Sequence, residues 1–590
     1  MRPSLSPALV LALAVLGAPT VSRATSLEGF EPASPLEGGA WLLDEGLYLK
    51  VHDYPDDSTF QDFFELISRT HTQIRQGRWS VGAQIDAVLN APPADPVDGP
   101  INALFGTPAP RHAVEDAYLV PEKLFVQYRS RRFKAEFGDG YLNIGKGMVL
   151  SLVKRPEIDQ DNSLRGVKLA LTTSEVDWTL FGGLVNAQNI SVVSINRALQ
   201  LPAGELVFGT AGIIRPTRGL EIGVHGVGFT FDRPAEDGSR AAVDRFDLLS
   251  EPVQMGAFGG TLRFPRLGPV DWFTEADVFV YGKTPGGETP AYTLDGEDHE
   301  LKTGYAIYSG AQIFGTSMAF LVEFKRFKDH LRQSRLSGVA ENAMTAPPTM
   351  ELEEVIQPDS QHAVTSNAMT GYRLRWTVYV PKTAHNIYVN FANFVDDADA
   401  PGHDRELVFH PYVGAQFFWG PGHRLFVTAG YRGEFNIEDD TPVDREYGDD
   451  HMWHLFVDAA VVVKASTLEV NTNLRVFQET GDDGNDWFSS ESALSWHYRG
   501  ALSVSVLFDA TNEGSSLSGP LAVPGNLLFI DEADKRLGLF GGVEVGVHPT
   551  PATAIKVFAG AQKQGLRCTG GVCRWLPGFS GVRTEFTMSL

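Results

Sequence analysis

Leu537-Gly538-Leu539-Phe540-Gly541-Gly542-Val543-Glu544-Val545-Gly546-Val547 keeps one parity apolar and gives the other to glycine, phenylalanine and a charge. After His548-Pro549-Thr550-Pro551 the pattern resumes, with Ile555, Val557, Ala559 and Ala561 set against Lys556, Phe558, Gly560 and Gln562. The last stretch places Val582, Phe586, Met588 and Leu590 opposite Arg583, Glu585, Thr587 and Ser589. A strand sends successive side chains to opposite faces, so each segment has one continuous apolar face. A final strand of this kind leaves an edge that must be paired. Closure onto the first strand pairs it, and an apolar outside with a polar inside is what lipid outside and water inside require.

With those residues in view, the ending resembles the closing strand of bacterial outer-membrane β-barrels, which commonly end on an aromatic residue where this chain has Leu590. The resemblance implies an all-β fold, a single large closed antiparallel transmembrane β-barrel. It also implies outer-membrane lipid and the barrel-assembly machinery as partners.

The rest of the chain repeats the pattern. Short turns at Gln76-Gly77, Ser130-Arg131, Thr173-Ser174 and Pro216-Thr217-Arg218-Gly219 alternate with long connections such as 90–120, 186–204, 231–254, 282–302, 328–368, 436–450 and 509–536. That parity is the signature of short periplasmic turns and long extracellular loops, and a soluble sandwich has no reason for it. The hairpins add to about 22–24 strands, with the barrel spanning 46–590 and a short periplasmic segment, 25–45, ahead of it. That short segment leaves no room for a folded N-terminal plug.

Within the strands, Tyr372, Leu374, Trp376 and Val378 alternate with Arg373, Arg375 and Thr377, and Leu468, Val470, Leu474 and Val476 with Glu469, Asn471, Asn473 and Arg475. An arginine facing lipid at mid-depth costs about 2–4 kcal/mol, so these charges belong in the lumen, as do Arg432, Glu434, Glu544, Lys556, Arg583 and Glu585. Trp419, Trp453, Trp496, Tyr498 and Trp575 fall at strand ends and suit an interfacial girdle.

At the other terminus, Arg2, the apolar run 8–16 and the small-residue end Ser22-Arg23-Ala24 read as a secretory signal peptide, residues 1–24, cleaved near Ala24. The formal charge of −24 deepens to −26 once Arg2 and Arg23 are removed, which argues against nucleic acid as a partner. The mean hydropathy of −0.11 does not exclude a membrane protein, because only alternate residues of a barrel meet lipid. Cys568 and Cys573 are the two cysteines, and the Thr569-Gly570-Gly571-Val572 between them suits a small disulfide ring in an oxidising compartment. A zinc site there lacks further ligands.

Chemical motifs are sparse. Gly140 to Lys146 fits the opening of a phosphate loop, but Gly147 stands where a metal-binding hydroxyl is needed and no amphipathic helix follows. The surrounding Gly-Asp-x-Tyr…Gly-x-Gly…Leu-Ser stretch is similar to one in uncharacterised barrel proteins of Gram-negative bacteria, which implies a family and no activity. Its glycines beside Asp139, Lys146, Lys154 and Arg155 suit a backbone that leaves the wall and constricts the lumen over 139–163. The acidic runs 438–450, 482–486 and 295–298 match no full calcium loop and read as solvated loops. His451 and His454 lie on opposite faces of a strand and cannot share a metal. No Gly-x-Ser-x-Gly, no phased Ser/His/Asp set and no haem-attachment Cys-x-x-Cys-His occurs, so no enzyme, no cofactor and no metal is expected. Two readings remain: a channel passing a hydrophilic solute or polymer through a loop-constricted charged lumen, and a scaffold enclosing a partner protein of an export, surface or electron-transfer complex.

Overall fold

The computed structural model describes residues 40–52, 63–91, 117–155, 160–189, 206–230, 248–250, 254–283, 289, 291–294, 297–300, 302–330, 369–396, 406–436, 450–479, 486–512, 528–532, 535–563, 565–569, 572–576 and 579–589. The signal-peptide residues, Leu590 and most of the acidic loop runs lie outside them.

The wall begins with β1 (Ala40–His52), β2 (Phe63–Gln76), β3 (Trp79–Ala91), β4 (Ala117–Arg129), β5 (Phe133–Gly140), β6 (Gln160–Thr172), β7 (Val176–Asn189) and β8 (Leu206–Thr217). It continues through β9 (Leu220–Thr230), β10 (Gln254–Leu267), β11 (Val270–Tyr281), β12 (Thr303–Phe314), β13 (Met318–Lys328), β14 (Met369–Tyr379), β15 (Asn386–Asp396) and β16 (Glu406–Phe418). It ends with β17 (Arg424–Asn436), β18 (Asp450–Val463), β19 (Ser466–Glu479), β20 (Trp487–Tyr498), β21 (Leu502–Thr511), β22 (Lys535–Thr550), β23 (Thr553–Gln562) and β24 (Phe579–Ser589). Two short strands, Lys154–Arg155 and Leu528–Glu532, join the same 26-stranded sheet, which leaves 24 for the wall.

Each wall strand is antiparallel to the next, and β24 pairs with β1 from Asp44↔Ser589 to His52↔Gly581. The last strand therefore has both edges paired, by β23 and β1, which is what the apolar alternation of Val582, Phe586 and Met588 requires. β1 starts at Ala40 rather than at 46, because it follows the full length of β2 down to Ala40↔Arg75. Pairing, not hydrophobic pattern, carries Ala40–Glu45 into the wall.

Connections of two to six residues, such as those between β2 and β3 or β14 and β15, alternate around the barrel with long ones. The start of β1 and the end of β24 sit at the short-turn rim. On one face of the wall, Leu180, Phe208, Phe258, Val278, Leu374, Trp376, Leu468, Leu494, Val506 and Val543 are exposed. Those side chains form the outer band. Near the short turns it carries aromatic pairs: Trp79 with Tyr128, Phe264 with Trp272, Phe320 with Trp376, and Trp496 with Tyr498. Such a belt is where amphipathic rings meet lipid headgroups.

Candidate functional site

The wall is irregular at β5. It has 8 residues where β4 and β6 each have 13, and its register with β4 runs only from Arg129↔Lys134 to Phe125↔Gly138. Gly138 takes φ 100°, and a Cβ built there would lie 2.0 Å from the Leu124 carbonyl oxygen. Only glycine tolerates both the left-handed backbone and the close approach. Past this point the chain turns inward, and on the side facing β4 the start of β6 pairs only with the two-residue strand Lys154–Arg155. Side chains bridge the seam. Lys123 forms an ion pair with Asp161, and Tyr141 Oη accepts from Lys123 Nζ at 2.7 Å and donates to Asp161 at 2.8 Å. Asp139 accepts from the Leu124 backbone N–H at 2.9 Å and from Asn186 Nδ2 at 2.7 Å, while Arg165 Nη2 donates to the Glu122 carbonyl at 2.7 Å.

The diverted segment forms a hairpin, Leu142–Ile144 against Leu150–Leu152, closed by Gly145-Lys146-Gly147. Met148, Val149, Leu150 and Leu152 are wholly buried, against Phe181, Val207, Phe229, Met255, Phe279 and Phe327 among others. Those wall residues alternate with the exposed outer band, so the hairpin lies on the inner face. Burial of four aliphatic side chains at about 1.5–3 kcal/mol each holds it firmly. His330 Nε2, 2.9 Å from the Met148 carbonyl oxygen, adds a hydrogen bond from beyond the end of β13.

Lys146, in the hairpin's turn, and Lys154, in the two-residue strand that pairs with β6, are exposed. The Lys146 ammonium stands 5.0 Å from the Phe273 ring and 5.8 Å from that of Tyr308. Arg155 is buried and donates to Ser151 Oγ at 2.9 Å, and Asp139 is buried in the seam. The structure thus leaves Lys146 accessible at the hairpin tip and Lys154 accessible beside β6, and commits Asp139 and Arg155 to holding the irregular backbone.

Beneath the hairpin tip lies a cluster that sequence reading did not single out. His225 on β9, Gly259 on β10 and Asp277 on β11 are in cross-strand register, and Glu275 is two residues before Asp277 on the same face. A Cβ at Gly259 would lie 1.8 Å from Asp277 Oδ1 and 2.8 Å from His225 Nε2. The glycine therefore lets side chains two strands apart meet, with His225 Nε2 2.6 Å from Asp277 Oδ1. The Lys146 backbone N–H donates to Glu275 Oε2 at 2.7 Å, which ties the hairpin to the wall. Two acids at i and i+2 on the inward parity of β11, between Phe273 and Phe279, were the visible signal; their histidine was not, because it depends on register across three strands.

Elsewhere the inner face is charged. Arg373 donates to Asn390 Oδ1 at 2.7 Å and to Glu323 at 3.3 Å, and Arg375 lies 4.0 Å over the Tyr388 ring. Arg432 pairs with Glu434, Arg475 lies 3.9 Å from Glu491, and Glu469 lies 3.0 Å from Arg424. Arg583 reaches Glu585 at 3.6 Å and Glu544 at 3.9 Å, and Lys556 is exposed opposite Glu585 in register. The inner face is therefore divided: an apolar sector covered by the hairpin from β7 to β13, and a polar, charged sector around the remainder. A closed antiparallel wall with an apolar outer band, an aromatic belt and charge within has one architectural counterpart.

The fold is that of a bacterial outer-membrane β-barrel. No family model matches the barrel's sequence, and no curated protein matches it significantly. Among solved structures, the siderophore receptor PirA from Pseudomonas aeruginosa is similar at 10% identity and TM-score 0.44, over 95% of this chain and 81% of that one. The copper transporter OprC is similar at 9% identity and TM-score 0.43, over 95% and 81%. OccK3 (OpdO) of Pseudomonas aeruginosa is similar at 12% identity and TM-score 0.34, over 80% and 97%.

Two smaller expectations also find places in the barrel. His451 lies beside Tyr431, 2.5 Å from its hydroxyl, whereas His454 turns inward to within 3.0 Å of His410 Nε2, so the two histidines do occupy opposite faces. Cys568 stands directly opposite Cys573 in a two-stranded hairpin, Gly565–Thr569 with Val572–Leu576, in the connection between β23 and β24.

Proposed function

We propose that the barrel is a channel of the bacterial outer membrane, passing a hydrophilic solute along its charged inner sector past a constriction formed by the inward hairpin. The carrying observation is the division of the inner face: one sector is filled by Met148, Val149, Leu150 and Leu152, and the other presents Arg373, Arg375, Glu469, Arg475, Arg583 and Glu585. Water-filled pores select by the charge on their walls, and charged groups at a constriction weigh most. Lys146 is the exposed cation at the hairpin tip, so it sets the local sign.

Reconstitution of the purified barrel in a planar bilayer tests the proposal: discrete conductance steps support it, and an inserted, folded protein that conducts nothing overturns it. Co-purification of a stoichiometric companion would favour the scaffold reading instead. Lys146→Glu should shift ion selectivity toward cations, more at 0.01 M than at 1 M salt, where screening shortens from about 30 Å to about 3 Å. Unchanged reversal potentials at low salt would remove Lys146 from the conducting path.

The reading also assigns the long connections, and with them Cys568 and Cys573, to the outer surface, with the pair oxidised. A membrane-impermeant thiol reagent should label intact cells after mild reduction and not before. Labelling only after cell lysis would invert the orientation.

A further inference from the structure

We infer that His225, Glu275 and Asp277 form a binding site for one divalent first-row transition-metal ion at the inner wall under the hairpin tip. One ligand atom from each of the three lies within 4.8 Å of the others, and all three residues are buried, Glu275 completely. Within that shell, Glu275 Oε1 and Asp277 Oδ2 are buried and have no hydrogen-bond partner. Each carboxylate has one oxygen already engaged: Glu275 Oε2 by the Lys146 N–H, and Asp277 Oδ1 by His225. The remaining two oxygens are acceptors held close together in a place shielded from water. Two adjacent buried carboxylates, each with one oxygen lacking a partner, are costly, and no ammonium or guanidinium forms an ion pair with either among the described residues. Lys146 turns its ammonium to the Phe273 and Tyr308 rings instead.

A cation between the carboxylates and the imidazole resolves this. The donor set is one imidazole nitrogen and two carboxylate oxygens, and no sulfur ligand is among them. That set suits Mn, Fe, Co, Ni or Zn in the divalent state; calcium and magnesium prefer all-oxygen shells, and copper(I) prefers sulfur. Gly259 and Gly145 keep the space clear, since a Cβ at either would fall within 2.3 Å of a carboxylate oxygen of Asp277 or Glu275. Binding takes the lone pair of His225 Nε2, so the proton now shared with Asp277 leaves to solvent.

The competing occupant is a proton shared between the two carboxylates. Full-length barrel in detergent, stripped with a chelator and titrated with Co2+, distinguishes them. The expected result is one Co2+ per barrel, with a visible d–d absorption band that Zn2+ removes, and binding about 100-fold weaker in both His225→Ala and the near-isosteric Asp277→Asn. Folding of each variant is checked by the heat-dependent shift of the barrel's gel mobility, and Asp277→Asn alone suffices if His225→Ala misfolds. Wild-type barrel that takes up no Co2+, or variants that bind it as the wild type does, would overturn the inference and leave the shared proton as the occupant.

Discussion

Removing residues 141–155 and rejoining Gly140 to β6 through a short Gly-Ser link is expected to raise single-channel conductance several-fold. A wall of 24 strands encloses a wide lumen, since width grows with strand number and 16–18 strands already leave a water channel. The hairpin stands inside that lumen; its removal keeps the 24 wall strands and takes Tyr141 and the Lys154–Arg155 pairing out of the seam between β4 and β6. The deletion uncovers Phe181, Phe229 and Phe279 to water, so the variant should also be less resistant to urea. A point variant separates width from stability: Leu150→Asp places a charge in the hairpin's dry seat, which unlatches the hairpin and raises conductance by the same route. Conductance unchanged in both variants, each correctly inserted, would show that the hairpin does not limit flow.

Gly138→Val should abolish folded barrel. The left-handed backbone at φ 100° disfavours any L side chain, and a β-branched one most. The added Cβ also collides with the Leu124 carbonyl oxygen, which belongs to the backbone of a neighbouring strand and cannot move aside alone. Together these cost more than about 3 kcal/mol, enough to prevent β5 from leaving the wall where it does. The measurement is the fraction of protein showing the heat-dependent gel shift after refolding into detergent. A valine variant refolding to the wild-type extent, with the wild-type urea midpoint, would contradict this account of the seam.

Much of this architecture is legible in single residues. The alternation of Val582, Phe586 and Met588 requires pairing, and β1 supplies it. The parity of short and long connections is likewise visible along the chain, and so is the break at Gly138 to Gly147, where glycines gather beside charges. The hairpin's character was less legible. Lys146 and Lys154 suggest an aqueous surface, yet Met148, Leu150 and Leu152 make a dry contact that depends on side chains from eight wall strands, β6 to β13. Periodicity reports which face a residue takes, not what stands across the lumen from it. The same limit hid His225 from Asp277: they are 52 positions apart, and only the glycine in the strand between them lets them touch.

The seat of the hairpin is assembled from residues as late as Phe327, while the hairpin itself ends at Leu152. During synthesis the hairpin's apolar residues are therefore made before the later strands that cover them. Ordering in time follows from this ordering in sequence. A wall stopped short of Phe327 lacks part of the surface that covers Met148, Val149 and Leu150 in the finished barrel, so the interior is complete only once β13 is in place.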